Sequence, residues 1–324
     1  MEHTNWTGTH LEAGRRQGER LRVRALPLPE MPPERFAYAA ACVPVYERDA
    51  PELMDELRGL AEGAGVPFDT MAAFLLGMYA FPAGNRCTCF AVDTGEDMIF
   101  GRNSDFMAVL EPYCEHCRYT LTGSCALVGN TTAFCELEDG VNEYGLAVGL
   151  TYVYPTIRKP GWNAGYLVRY LLERCKTVSE ALGCLRRLDI GSSQTLTLAD
   201  TSGALAVAEC NAESLVIRRP ERGAVAAVND FRAPEMQRFR CVIDDDVKSG
   251  LRWQTVTRAL RENRVRTLAD ACGLLAGQYG FLCQYDRAGG FDTVWSTACA
   301  LRTRKLLLCE GNPSRCSFTE AQMP

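Results

Sequence analysis

Cys87-Thr88-Cys89-Phe90-Ala91-Val92-Asp93-Thr94-Gly95-Glu96-Asp97-Met98-Ile99-Phe100-Gly101-Arg102-Asn103-Ser104-Asp105 reads as two apolar runs around a turn cluster. Thr88–Val92 and Met98–Arg102 are strand-like, and residues 93–97 carry the Asp, Thr and Gly of a tight turn, so the stretch spells a β-hairpin. With the turn centred near Gly95, paired residues have indices summing to roughly 190, which sets Cys87 opposite the Arg102–Asp105 region. A guanidinium beside a thiol favours the thiolate, the nucleophilic form. Were Cys87 the first residue of a mature chain, its α-amine, with an ordinary pKa of about 8, would serve as general base. Asp105 would then orient and balance that amine. The plain alternative is a strand cysteine beside a surface ion pair.

Outside the hairpin, residues 1–86 read as helical. Pro51–Ala64 shows helix spacing at Leu53, Leu57 and Leu60, and Asp69 is placed to cap a helix through Met71, Phe74, Leu75 and Met78. Leu26–Pro33 reads as a proline-rich loop. Gly145–Tyr154 is a strand, and Gly161–Leu188 forms two helices, the second opened by Thr177 with Glu180 as a capping box. Strands follow at Thr195–Ala199, Leu205–Cys210, Ser214–Arg218 and Ala224–Val228. Ser249 caps a helix through Trp253, Val256 and Leu260, Thr267 opens another, and Thr293–Ala298 and Lys305–Cys309 are further strands. Strands in blocks and helices in blocks predict an α+β fold of antiparallel sheets covered by helices, not a βαβ alternation. Gly101-Arg102-Asn103 is no phosphate-binding glycine loop.

The 324 residues are 47% hydrophobic and 23% charged with net charge −5, which suits a globular protein and argues against nucleic acid as a partner. The first residues lack a signal-peptide pattern, and the most apolar run, Thr70–Ala83, is too short to span a bilayer. A cytoplasmic protein is expected, its 16 cysteines mostly reduced, buried and inert, Cys175 and Cys184 among them at apolar helix positions. Only three histidines occur, His3, His10 and His116. A Cys-His or Ser-His-Asp enzyme needs one beside its nucleophile, so an enzyme here is expected to use another base.

Cys87-Thr88-Cys89-Phe90-Ala91 followed by Phe100-Gly101-Arg102-Asn103-Ser104-Asp105-Phe106 resembles the nucleophile hairpin of the N-terminal-nucleophile (Ntn) cysteine amidases. These include choloylglycine hydrolases, penicillin V acylases and acyl-coenzyme A:6-aminopenicillanic acid acyltransferases. Gly8-Thr9-His10-Leu11-Glu12-Ala13-Gly14, with Gly18, and Glu56–Ala64 are similar to the opening of the acyltransferase (peptidase C45-like) branch. The resemblance runs from about Gly8 to the last strands. It implies a four-layer αββα sandwich, residues 1–86 as a helical prosegment or small subunit, and 87–324 as the catalytic core. It implies self-cleavage between Arg86 and Cys87, Arg86 standing where relatives often have Gly. Cys87 would be nucleophile and α-amine base, with Arg102 and Asp105 beside it. Ala227-Val228-Asn229-Asp230-Phe231 resembles the strand end whose Asn donates to the oxyanion, which would be Asn229. Gly149-Leu150-Thr151 resembles the strand whose backbone N–H joins it, at Thr151, although bile salt hydrolases have Asn there. Ser249-Gly250-Leu251-Arg252 resembles a helix start whose Arg252 holds the nucleophile region or a substrate carboxylate, the plain alternative being an exposed first-turn arginine. Asn142-Glu143-Tyr144-Gly145-Leu146 resembles a family turn, with Asn142 a turn residue, and Glu209 is implied to be structural support.

The implied activity is hydrolysis or acyl transfer at linear amide C–N bonds through a Cys87 thioester. No metal or organic cofactor is implied. The implied partner is a small-molecule amide such as an acyl amino acid, β-lactam or bile salt, with no membrane, and an oligomer is compatible with the sequence. Two rivals remain. One is a non-catalytic, unprocessed member of the same fold. The other is a cysteine-rich zinc or redox protein, from the Cys-x-x-Cys spacing of Cys114-Glu115-His116-Cys117, although a structural zinc site wants four ligands and no second pair matches.

Overall fold

The hairpin forms, longer than its apolar runs. Arg86–Asp93 and Met98–Met107 pair antiparallel, with Arg86 opposite Asp105, Cys87 opposite Ser104 and Cys89 opposite Arg102. The computed structural model describes residues 1–25, 28–82, 86–241 and 248–324. Along the chain, strand β1 (Glu2–Gly8) precedes helices α1 (His10–Arg24), α2 (Pro33–Asp49), α3 (Pro51–Ala64) and α4 (Phe68–Leu75). Next come β2 (Arg86–Asp93), β3 (Met98–Met107), β4 (Glu115–Leu121), β5 (Leu127–Thr131), β6 (Asp139–Asn142) and β7 (Ala147–Tyr152), then α5 (Ala164–Arg174) and α6 (Val178–Leu185). Strands β8 (Gln194–Ala199), β9 (Leu205–Cys210), β10 (Leu215–Arg218) and β11 (Ala224–Ala227) follow. Helices α7 (Ser249–Arg261) and α8 (Leu268–Leu275) lead to β12 (Phe291–Ala300), β13 (Lys305–Glu310) and β14 (Thr319–Ala321).

Two sheets result, one in the order β1-β4-β5-β6-β7-β8-β9-β10, the other β11-β2-β3-β12-β13-β14. They face each other across an apolar layer that includes Cys89, Phe100, Val141, Ala147, Val207 and Ala227. Helices α1–α6 cover the outer face of the first sheet, burying Leu57, Trp162, Leu171 and Leu198. Helices α7 and α8 cover the second, over Phe90, Ile99, Ala226 and Ala298. Both faces of each central strand are therefore buried, and β7 and β8 are buried at every residue. The layers are α, β, β, α, as the family resemblance implies.

The N-terminal stretch departs from the all-helical expectation. Glu2–Gly8 pairs in parallel with β4 along its whole length, the one parallel pairing among the described strands. The reason is a period of two: Thr4 and Trp6 are buried while His3, Asn5 and Thr7 are exposed. Three smaller corrections concern helix ends. Pro67, not Asp69, is the N-cap of α4, which ends before Met78. Lys248, in a left-handed conformation, occupies the N-cap position of α7, so Ser249 is its first helical residue and not its cap. Thr177 does cap α6 through the Glu180 N–H, but Glu180 reaches back to the Lys176 N–H instead of completing the box. The part of the Leu26–Pro33 reading that falls on Leu26 and Pro27 lies outside the described residues; Leu28–Pro32 is loop and Pro33 begins α2.

Helices α1 and α3 cross at near backbone contact. A Cβ on Gly14 would lie 2.0 Å from the Glu56 carbonyl oxygen, and one on Gly63 2.0 Å from that of Arg15. Gly18 and Gly59 are equally close to the opposite helix, which explains four glycines inside helices that would otherwise be weakened by them.

Candidate active site around Cys87

Cys87 is fully buried between the sheets at the start of β2. Its Sγ accepts a hydrogen bond from Arg102 Nη2 at 2.9 Å. Its backbone N–H donates to Asn229 Oδ1 at 2.8 Å, and its carbonyl oxygen accepts from Arg252 Nη1 at 2.6 Å. Sulfur, nitrogen and carbonyl of a single residue are thus each gripped by a different side chain.

Arg102 reaches Cys87 from β3, two residues along the register from the partner of Cys87. Every part of its guanidinium is used: Nε donates to the Leu150 carbonyl (2.9 Å), Nη1 to Asp139 (2.8 Å), and Nη2 also to Glu138 (3.1 Å). Asp139 is held in turn by Trp295 Nε1, Asn130 and Thr297, and Glu138 by Ser104 and Thr132. This buried cation with two buried carboxylates satisfies the rule that interior charges are paired and hydrogen-bonded. Gly149 on β7 makes the space: a Cβ there would lie 2.9 Å from Cys89 Sγ and 3.1 Å from Arg102 Cδ. Burial pushes the Cys87 thiol up to about 12, against the pull of Arg102. In the continuous chain Cys87 is therefore a protonated thiol.

Asp105 lies opposite Arg86, one pair beyond Cys87, and is fully buried. Thr293 Oγ1 (2.6 Å) and Tyr285 Oη (3.0 Å) donate to its two oxygens. Burial raises its carboxyl to about 6, opposed first by the charge of Arg252. Arg252 is also fully buried, which removes the exposed first-turn reading. From α7 it bonds the Cys87 carbonyl, Thr88 Oγ1 (2.9 Å) and Asn229 Oδ1 (2.9 Å).

Asn229 is beside Cys87 as expected, with its ends reversed from the expected use. Two donors, the Cys87 N–H and Arg252, meet its Oδ1, so the oxygen must face Cys87. Its Nδ2 donates to the Tyr152 carbonyl at 2.8 Å. Glu209 holds the segment after it, accepting the backbone N–H groups of Arg232 and Ala233 at 2.9 Å, and so acts as structural support.

Thr151 requires a correction. The Val153 N–H donates to the Ser193 carbonyl and the Leu150 N–H to the Glu138 carbonyl. By the alternation of an antiparallel ladder, the Thr151 N–H is directed at Thr195 on β8 and is a ladder donor, not an oxyanion donor. Its hydroxyl instead contacts Thr195 Oγ1 (2.6 Å) and donates to the Val228 carbonyl (2.8 Å), which fixes the residue before Asn229. Asn142 is a turn residue: its Oδ1 takes the N–H groups of Tyr144 and Leu146, and its Nδ2 bonds the Leu172 and Cys175 carbonyls.

The sequence reading missed Glu138, Asp139, Tyr285, Thr293 and Trp295. One signal was available for the first two, three acids in four residues at Glu136–Asp139 within an otherwise apolar neighbourhood. The Cys114–Cys117 motif does not assemble. Cys114 packs with Val294 and Trp295, Cys117 lies in the helix-facing core against Thr4, and His116 bonds Asn130. Among the described residues the group able to gather on a metal is His10, Glu56 and Glu173. Arg169 already bonds both of those carboxylates, at 2.9 and 2.7 Å.

An apolar cavity of about 740 Å³ opens next to this network, lined by Met78, Tyr79, Phe106, Leu110, Thr132 and Phe134 among others. Thr132 joins it to the site, since its hydroxyl donates to the same Glu138 that holds Arg102. Phe106 directly follows Asp105.

Residues 92–315 match the sequence model of one family. The chain belongs to the acyl-coenzyme A:6-aminopenicillanic acid acyl-transferase family. The match begins just after Cys87 and takes in Arg102, Asp105, Asn229 and Arg252. No curated protein matches in sequence. In structure the chain is similar to the N-acylethanolamine-hydrolyzing acid amidase ortholog of Caenorhabditis elegans, at 18% identity and TM-score 0.50 over 67% of this chain and 93% of that one. It is also similar to penicillin V acylase from Agrobacterium tumefaciens, at 14% identity and TM-score 0.42 over 69% and 82%. A third is a variant of the conjugated bile acid hydrolase of Clostridium perfringens, at 13% identity and TM-score 0.47 over 72% and 92%. The fold is that of the Ntn hydrolases. No helix among the described residues is long and apolar enough to cross a membrane.

Proposed function

We propose that this family member is a self-processing cysteine amidase or acyltransferase whose nucleophile is Cys87. The observation that carries the reading is the separate grip on the Cys87 sulfur by Arg102 and on its nitrogen by Asn229, which a packing cysteine in a strand does not need. Cys87 Sγ attacks the Arg86 carbonyl carbon, the C–N bond to Cys87 breaks, and the acyl group moves to sulfur. Water then hydrolyses the thioester, leaving an Arg86 carboxylate and a free Cys87 α-amine. That amine inherits the hydrogen bond to Asn229 Oδ1 and is the general base for the next cycle. Cys87 then attacks a substrate amide, the amine leaves with the proton, and the acyl thioester passes to water or to another amine. Arg102 stabilises the thiolate, and Arg252 fixes the Cys87 carbonyl so that the nucleophile does not swing. The oxyanion role of Asn229 rests on the second hydrogen of its Nδ2.

The neighbouring cavity points to the acyl group. It is apolar, and about 740 Å³ is in the range of small-molecule pockets. The substrate class is therefore an amide with a bulky or extended apolar acyl group, its carbonyl at Cys87.

Intact mass under denaturing, reducing conditions tests this, for wild type and Cys87→Ala side by side. Two chains separated between Arg86 and Cys87, with an uncut mutant, are expected. An uncut wild type after long incubation removes the proposed base and with it the mechanism, and makes the protein an unprocessed member of the fold.

A further inference from the structure

Cys175 and Cys184, expected to be inert, are placed otherwise by the structure. Cys175 is the C-cap of α5 and Cys184 lies in the last turn of α6. Their sulfurs are 3.5 Å apart. Arg187, in the turn after α6, donates from Nη2 to Cys184 Sγ at 3.2 Å and from Nη1 to the Gly183 carbonyl at 2.9 Å, so its fork is anchored over the sulfur. Cys184 is half-buried, whereas Cys175 is buried. A half-buried sulfur under a guanidinium with a second sulfur in reach is the arrangement of an attacking and a resolving thiol.

We propose that Cys175 and Cys184 are a reversible dithiol–disulfide pair oxidised by hydrogen peroxide, with Cys184 as the attacking sulfur. The Cys184 thiolate attacks one peroxide oxygen and the O–O bond breaks, giving a sulfenic acid and hydroxide, which takes the thiol proton and leaves as water. Cys175 sulfur then attacks Cys184 sulfur, the S–O bond breaks, and the leaving hydroxide takes the Cys175 proton as a second water. Two thiols lose one electron each, and one peroxide is reduced to two waters. To bond, the sulfurs close from 3.5 Å to about 2 Å. The electrostatics agree. The Cys184 thiol is lowered, first by the hydrogen bond from Cys175 and then by the charge of Arg187, while Cys175 is raised. This pair stands apart from Cys87 and does not depend on the catalytic reading.

The full chain treated with stoichiometric hydrogen peroxide and mapped without reduction should give a Cys175–Cys184 linked peptide that dithiothreitol separates. In Cys175→Ser, Cys184 should instead accumulate as a sulfenic acid that dimedone captures. Arg187→Ala should slow linkage several-fold and Arg187→Lys should restore part of the rate. Recovery of both cysteines as free thiols while other cysteines oxidise overturns the proposal. So does a linked peptide that forms at the same rate in Arg187→Ala, since the attacking thiolate would then not be set up by Arg187.

Discussion

Asp105 carries a charge that the fold holds near its tipping point. Its carboxyl is raised from 3.8 to about 6 by burial. The folded chain therefore keeps a proton that the unfolded chain has already released between about pH 4 and 6. Stability from this group is present below that window and falls as pH rises through it. In the uncut Cys87→Ala protein, the urea midpoint taken relative to that of the same protein carrying Asp105→Asn should drop across that range, which isolates this group from the other carboxylates. Arg102 gives a second expectation. Arg102→Gln leaves Glu138 and Asp139 buried without their cation, a loss of about 3–5 kcal/mol measurable by denaturant unfolding. Cys87 offers a third. Buried and pushed up to about 12, it should resist iodoacetamide at neutral pH in the uncut chain and react once the chain is cut. Alkylation that proceeds equally in both forms would contradict the protected thiol. Arg102, Asp105 and Arg252 were legible because hairpin register and short motifs carry them. Glu138, Asp139 and Trp295 were not, because they meet Arg102 only through sheet packing and strand order, which no local spacing encodes.

Among the elements, β7 is the one on which the site's geometry leans. Gly149 lets it pass within reach of both Cys89 and Arg102 of the facing sheet. Gly149→Ala should cost about 1–3 kcal/mol by overpacking. It should also displace Arg102, so self-cleavage should slow more than the drop in melting temperature alone accounts for. The hairpin, α3, α5, α6, β8 and β9 were readable from turn residues, caps and apolar spacing. Strands β5 and β6 escaped because strands buried on both faces lack the alternation that marks a strand. β1 escaped although it alternates, since its seven residues of mostly polar type precede a long helical stretch and pair only with a strand far along the chain.

At the scale of the molecule, the segment before Cys87 is woven into the rest. β1 is an edge strand of the larger sheet, α1 and α3 lock through their glycines, and residues of α2 and α4 wall the apolar cavity. A Cβ at Gly59 would stand 2.2 Å from the Leu11 carbonyl oxygen. Gly59→Val should therefore force α1 and α3 apart and lower the melting temperature by several degrees. The weave also changes what unfolding would mean once the peptide bond is gone. An intact chain recovers its shape by a first-order process, indifferent to dilution. A cut one would have to find its missing strand and helices again by collision, so its recovery after denaturant would slow and fall short as the solution is thinned. Cleavage would thus turn a protein that can be reset into one whose history is carried in its concentration.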